Sequence, residues 1–195
     1  MTHHIYHTRG VILSSVPRGE SNRSYKIFTE ELGLVGGTAQ SVREEKSKLR
    51  YILQDYSFVT VDLVRGKEVW RIVSAGPHVP LSGIKNNLLH TKLFARFCVL
   101  LSRLLQGEGR DQELFEEIAR VADFLDTEKV SQELSLSFET LVTLRVLVHL
   151  GYVDPEGYEP FLEAREYTQI ILEEFEKVRV KTLPKINDAL NASHL

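Results

Sequence analysis

A single cysteine, Cys98, stands in 195 residues. That excludes a disulfide within the chain and a zinc cluster built from cysteines. No apolar run reaches the ~20 residues that a membrane-spanning helix needs. The N-terminus lacks the apolar stretch of a secretory signal, so a cytosolic location without membrane association is expected. Motifs of common chemistries are also missing. There is no Gly-x-x-x-x-Gly-Lys phosphate loop, no zinc-protease pair of histidines and no nucleophile elbow. A catalytic triad leaves no such trace, because its members need not be adjacent. The expectation is a binding protein, not an enzyme, with no cofactor and no metal.

The hydrophobic content of 43% suffices for a packed core, as one domain or two small ones. The net charge of −3 hides an asymmetry. Residues 1–76 hold eleven Lys and Arg against eight Asp and Glu, and the remainder holds thirteen against nineteen. A basic first half points to an anionic partner, though only weakly.

The first part reads as strands. Ile5–Leu13 is β-rich and leads to a turn at Pro17–Glu20. Tyr25–Thr29 is a second strand, and Leu34–Ser41 a third whose glycines predict a bend or bulge. In Phe58–Val64, Val59, Val61 and Leu63 share one face. Arg65-Gly66-Lys67 is a hairpin signal, with Val69–Val73 as the return strand. Five short strands in about seventy-five residues suggest a closed barrel of the OB type.

After Ala75-Gly76-Pro77 the apolar period becomes helical. Leu88–Leu105 predicts a helix stopped by Gly107-Glu108-Gly109. Asp111 can cap a second helix carrying Leu114, Phe115, Ile118, Val121, Ala122 and Leu125. A third runs from Ser131 or Ser135 to Leu150; its stretch Leu141–Leu150 is apolar nearly all round, interrupted mainly by Arg145, and so central to a bundle. A fourth starts near Leu162, carries Tyr167, Ile171, Phe175 and Val178, and breaks or kinks at Pro184, with a frayed tail from Asn187. The fold class is α+β in two domains: an OB barrel over 1–78 and an all-α bundle over 79–195.

Several segments, in order, resemble the RecO family of bacterial recombination mediators. Arg9–Leu13 resembles its opening strand, Gly19-Glu20-Ser21-Asn22 its Gly-Glu-Ser-Asp turn, and Phe28–Gly33 its second strand and turn. Lys46–Arg50 followed by Leu53-Gln54-Asp55-Tyr56-Ser57 resembles its basic segment and Leu-Gln-Pro-Phe stretch. Pro80–Ile84, Leu101–Leu105, Glu113-Leu114-Phe115 and Phe138–Tyr152 follow its helical domain. The resemblance implies DNA binding and strand annealing in support of RecA loading, nucleoid association during repair, and contacts with RecR and the acidic tail of single-strand-binding protein. Many members carry a four-cysteine zinc module after Leu-Gly-Tyr. Here Asp154-Pro155-Glu156-Gly157-Tyr158 takes that place and the chain ends early, which implies a short member without zinc. The family's basic approach to the loop reads Ala39-Gln40-Ser41-Val42-Arg43 here, with Glu44 and Glu45 added. Weaker DNA affinity follows from that departure.

The foremost candidate site is the connection Arg43–Arg50. Arg43, Lys46, Lys48 and Arg50 have the charge to contact phosphates, and Arg23 and Arg71 extend the groove. Lys26, Arg65 and Lys67 are further candidates. The bland alternative is a solvated loop neutralised by its two glutamates. Tyr25, Phe28, Tyr56, Phe58 and Trp70 can stack on bases, but their large apolar area argues for filling the barrel. On the first long helix Lys92, Arg96 and Arg103 form one stripe bordered by Leu100 and Leu104. Such a stripe suits an acidic peptide with an apolar end, or an ordinary solvent face. His3, His4 and His7 lack a partner nearby in sequence, so a mobile N-terminal segment is expected there. Cys98, among Phe94, Phe97 and Leu101, reads as a buried, inert thiol.

Two functions fit. One is a mediator that binds single-stranded DNA, with double-stranded DNA as a second candidate, and recruits a RecR-like protein and the acidic tail. The other is a protein–protein adaptor whose barrel has lost strong DNA binding.

Overall fold

The structure is a computed structural model that describes residues 4–192. Its chain forms two compact units. One comprises residues 1–80 with 101–115, the other 81–100 with 116–195.

The first unit holds a closed barrel in the order β1-β2-β3-β5-β4. Its strands are β1 (Ile5–Arg18), β2 (Asn22–Thr29), β3 (Gly33–Ala39), β4 (Phe58–Arg65) and β5 (Trp70–Val79). β1 is fourteen residues long and pairs along both edges. Its first half lies antiparallel to β4, from Ile5↔Val64 to Val11↔Phe58, and its second half to β2, from Gly10↔Thr29 to Arg18↔Asn22. A register shift between Ile12 and Ser14 accompanies the turn from one partner to the other. Ile12, Ile27, Val35, Val59, Val61 and Leu63 fill the interior. The one-face pattern of Val59, Val61 and Leu63 is realised, with each 1% exposed or less.

Two expectations need correction. β3 carries no bulge; its register against β2 is unbroken from Arg23↔Ala39 to Thr29↔Gly33. Gly37 serves close approach instead. A Cβ on Gly37 would lie 3.1 Å from Ile72 Cγ1, where β5 closes the barrel by parallel pairing at Gly37↔Trp70. β5 also continues past Val73 to Val79, because its pairing with β4 persists. Pro77 is tolerated there beside a register shift between Phe58 and Val59.

Residues 101–115 line the outside of the same unit. Phe115 packs near Phe28 and Phe58, at ring distances of 6.3 and 6.4 Å. Gly109 N–H donates to Leu32 O, and Lys26 Nζ to Ser102 O. Glu108 accepts hydrogen bonds from Trp70 Nε1 at 2.9 Å and from Arg65.

The second unit contains the short α2 (Ser82–Asn86), most of α3 (Leu88–Leu104), most of α4 (Gln112–Thr127), α5 (Ser135–His149), α6 (Glu159–Glu163) and α7 (Gln169–Ala192). Asp111 caps α4 as expected, accepting from Leu114 N–H at 3.0 Å. α5 is the centre, with Leu141, Leu144, Val146 and Leu147 fully covered. The expected fourth helix is two elements. Tyr167 lies in the connection between α6 and α7, and α7 runs through Pro184 to Ala192. The proline removes an N–H that would reach Val180, which is itself exposed, so water can satisfy the carbonyl left over.

Arg145 is buried beside this connection. Its Nε donates to Phe161 O at 2.9 Å, its Nη2 to Ala164 O at 2.5 Å, and its guanidinium lies 4.3 Å over the Tyr167 ring. Glu117 accepts from the Tyr167 hydroxyl and faces Arg145 at 3.5 Å. Burial, reinforced by the Glu117 charge, pushes the Tyr167 hydroxyl well above its ordinary range.

Two predictions follow from the packing. Gly33 has φ +69°, and a Cβ there would meet Gly109 O at 2.1 Å. The left-handed backbone alone costs about 1–2 kcal/mol for other residues. Gly33→Ala should therefore lower the unfolding midpoint by more than about 4 °C; a thermal melt matching the parent's would contradict this. The second concerns Glu176, which accepts from Arg179 at 2.8 and 3.0 Å and from Ser137. Chiefly the Arg179 bonds hold its carboxyl at about 2, below the ordinary 4.5. A depressed pKa means stability present above pH 4.5 and lost as pH falls toward 2. Glu176→Gln should lower the midpoint at pH 7 and converge with the parent near pH 2. The effect should be small, since the carboxylate is 42% exposed. Melts across pH 2–7 check it.

Candidate nucleic-acid interface

The connection from Gln40 to Ser57 is anchored, not free. Arg43 N–H donates to Ser21 O at 2.9 Å, and its Nη1 donates to Gly19 O at 3.0 Å. Ser41 N–H donates to Asn22 Oδ1 at 2.9 Å. These bonds tie the segment to the β1–β2 turn. Val42 and Leu53 are buried in the barrel core, with Leu49 and Ile52 packed against it. The segment between them includes one helical turn, α1 (Leu49–Ile52).

That anchoring turns the other side chains outward. Lys46, Lys48 and Arg50 are exposed, and none makes an ion pair among the described residues. Glu44 and Glu45 are also exposed and pair with none of them. Exposed side chains without direct pairs suit phosphate contact and equally suit the bland reading, a solvated loop whose two glutamates offset part of its charge. Arg43 differs from its three companions: part of its guanidinium holds the turn together.

The remaining candidates scatter. Arg71 is exposed on β5, and its backbone partner is Thr38 on β3. Arg18, which the sequence reading passed over, donates to Thr38 Oγ1 at 3.2 Å, so two arginines flank one threonine. A cue was present in the turn Pro17-Arg18-Gly19, which opens beside the basic connection. Arg23 is half-buried on β2, and its Nε has no hydrogen-bond partner; nor has the hydroxyl of Tyr25. Burial raises the Tyr25 hydroxyl above its ordinary value, Arg23 opposes that, and Asp55 adds to it. Lys26 and Arg65 are engaged by Ser102 and Glu108, while Lys67 is exposed on the β4–β5 hairpin.

The aromatic question resolves by burial. Tyr25, Phe28, Phe58 and Trp70 are each 4% exposed or less, and Tyr56 is half-buried. The first four belong to packing. Tyr51 on α1 is the most exposed aromatic among the described residues, at 74%, ahead of Tyr152 at 43% and Tyr6 at 37%. The sequence held its signal: Leu49, Ile52 and Leu53 at i, i+3, i+4 turn positions 50 and 51 away from the core.

In the helical unit, Lys92 and Arg96 are exposed and line a cavity of about 460 Å³ with Leu88, Leu89, Leu93 and Leu136. Arg96 pairs with Glu139 at 3.0 Å, whereas Lys92 has no ion pair among the described residues. Arg103 is exposed, Leu100 half-buried and Leu104 buried; residues 101–115 belong to the barrel unit. Leu88 is 71% exposed and Leu136 53%, so accessible apolar surface lies at this cavity.

His3 lies outside the described residues. His7 belongs to β1 and not to a mobile segment, with Nδ1 2.6 Å from Asp62 Oδ1 across the strand pair. The carboxylate partner that sequence proximity could not supply comes from β4. Among the described residues no cluster of three or more His, Cys, Asp or Glu can hold a metal. Cys98 is fully buried. No helix among the described residues is long and apolar enough to cross a membrane.

Residues 1–77 match the family model described as "Recombination protein O N terminal". Over 159 residues, 82% of the chain, it is 26% identical to a DNA repair protein RecO of Dehalococcoides mccartyi. Over 148 residues, 74% of the chain, it is 34% identical to the DNA repair protein RecO of Salmonella dublin. The chain spans 59% and 57% of the lengths of these relatives. A closed five-stranded OB barrel matched by that model, with alignments that run well beyond it into the helices, makes this chain a member of the RecO family.

Proposed function

We propose that this protein is a DNA-binding recombination mediator that holds and anneals single strands and assists RecA loading, without covalent chemistry. One observation carries the reading: Lys46, Lys48 and Arg50, exposed and unpaired among the described residues, on a segment anchored in the core of an OB barrel. Annealing requires two phosphate backbones to approach, and cations held at fixed positions lower that repulsion. Arg71, Arg23 and Lys67 extend the charge along the barrel. The barrel, residues 1–78, is the DNA-holding domain in this reading. The helical part, 79–195, recruits proteins: a RecR-like partner and the acidic tail of single-strand-binding protein. An adaptor without DNA affinity is the second reading, favoured by Glu44, Glu45 and the engagement of Arg43 with Gly19.

Salt dependence separates the two. Each phosphate contact to a single strand contributes about 0.7 to the slope of log K against log salt. Changing Lys46, Lys48 and Arg50 together to Ala, leaving Arg43 in place to keep the turn, should lower that slope by about 2. Binding should weaken equally for all sequences. An unchanged slope in a folded variant would refute the loop's role; no binding by the parent would favour the adaptor.

For the tail, the reading uses the cavity at Lys92 and Arg96: ammonium and guanidinium for carboxylates, Leu88 and Leu136 for the apolar end. Exposed pairs give roughly 0.2–1 kcal/mol each, so an isolated tail peptide should bind at about micromolar strength or weaker. Lys92→Glu with Arg96→Ala should cost at least about tenfold, a loss of roughly 1.4 kcal/mol or more, and leave DNA affinity unchanged. Fluorescence anisotropy with the peptide checks it, and equal binding would place the tail elsewhere.

A further inference from the structure

We infer that Tyr51 is a nucleobase-stacking residue that gives the barrel a preference for unpaired over duplex strands. The inference rests on the DNA-binding reading above and assigns to it a residue and a strand preference. Tyr51 is the second-to-last residue of α1, and its neighbours fix its direction. Leu49 and Ile52 pack against the barrel core and Leu53 is buried in it. On a helix, position 51 lies about 200° round from position 49, at ~100° per residue, so it faces away from the barrel. The ring is 74% exposed and makes no hydrogen bond or ring contact among the described residues. Nothing in the packing of the fold uses it.

Cations stand next to it in the chain. Arg50 adjoins it, Lys48 and Lys46 precede it, and all three are exposed without ion pairs among the described residues, with Glu44 and Glu45 further back in the segment. Every other aromatic of the barrel strands beyond Tyr6 is buried. An exposed ring beside unpaired cations is the arrangement that binds single strands: charge tracks the phosphates while a base lays its face on the ring. A duplex cannot offer that face, because its bases are stacked on one another. The cations alone bind both forms; the ring supplies the difference. The main-chain tie of the segment to Ser21 and the buried Val42 and Leu53 hold its backbone in place before a strand arrives.

The test uses the full chain and two labelled strands of equal length, oligo-dT and a strand of abasic sites, which share the phosphates and differ in the bases. The parent should prefer oligo-dT. Tyr51→Ala should weaken oligo-dT binding by about 5- to 150-fold, the range for base–aromatic stacking, and leave abasic binding within about twofold. Tyr51→Phe keeps a stacking face and should retain the preference. If Tyr51→Ala binds oligo-dT as the parent does, or loses both strands equally, Tyr51 is not a stacking residue. If the parent prefers neither strand but still binds both with a steep salt slope, DNA binding stands and stacking falls. If the parent binds neither, both readings fall together.

Discussion

The barrel depends on one long strand pairing along both of its edges. β1 lies against β4 with its first half and β2 with its second, and the register shift after Ile12 lets it pass from one to the other. Closure is completed by the short parallel contact of β3 with β5, which Gly37 admits because it presents no side chain to Ile72. A closed barrel has two open ends, and each must be sealed against water. The connection after β3 seals one with Val42 and Leu53. The basic segment is therefore a by-product of sealing. Its apolar residues go inward, and whatever stands between them goes outward.

Charge is divided in the same way. Arg9 is held by Glu30, Arg65 by Glu108, and Lys26 by a backbone carbonyl. The bonds from Arg9 pull the Glu30 carboxyl below its ordinary value, with smaller help from Arg110 and His78. Hydrogen bonds from Trp70 and Arg65 outweigh desolvation and depress Glu108 as well. Lys46, Lys48 and Arg50 have no such partners among the described residues. Some of the positive charge of residues 1–76 is thus tied up in pairs on the barrel, while the basic segment keeps its three cations unpaired among the described residues, with Glu44 and Glu45 exposed beside them.

The helical unit meets a different need. The stretch from Val153 to Thr168 has little regular structure, and its carbonyls must find donors. Arg145 serves two of them, at Phe161 and Ala164, from within the central helix α5. Removing a partner from such a buried charge is costly, which makes Arg145, Glu117 and Tyr167 act as a set.

Much of the fold was legible in the chain. Alternation gave Val59, Val61 and Leu63 their shared face, Asp111 announced the start of α4, and the near-continuous apolar run of Leu141–Leu147 announced a central helix. The motif order pointed to the family. These features are local, or they are patterns that burial imposes on neighbouring positions. Other features needed the tertiary structure, because they depend on residues far apart in sequence. The reach of β5 to Val79 follows from pairing with β4, and His7 finds Asp62 only across two strands. Pro184 sits inside α7, where the residue whose carbonyl it leaves without a donor, Val180, is exposed to water. The aromatic residues divided only when the barrel closed, taking Tyr25, Phe28, Phe58 and Trp70 inward and leaving Tyr51 outside. Sequence supplies which side chains carry charge or an aromatic face; closure of the barrel decides which of them stay exposed.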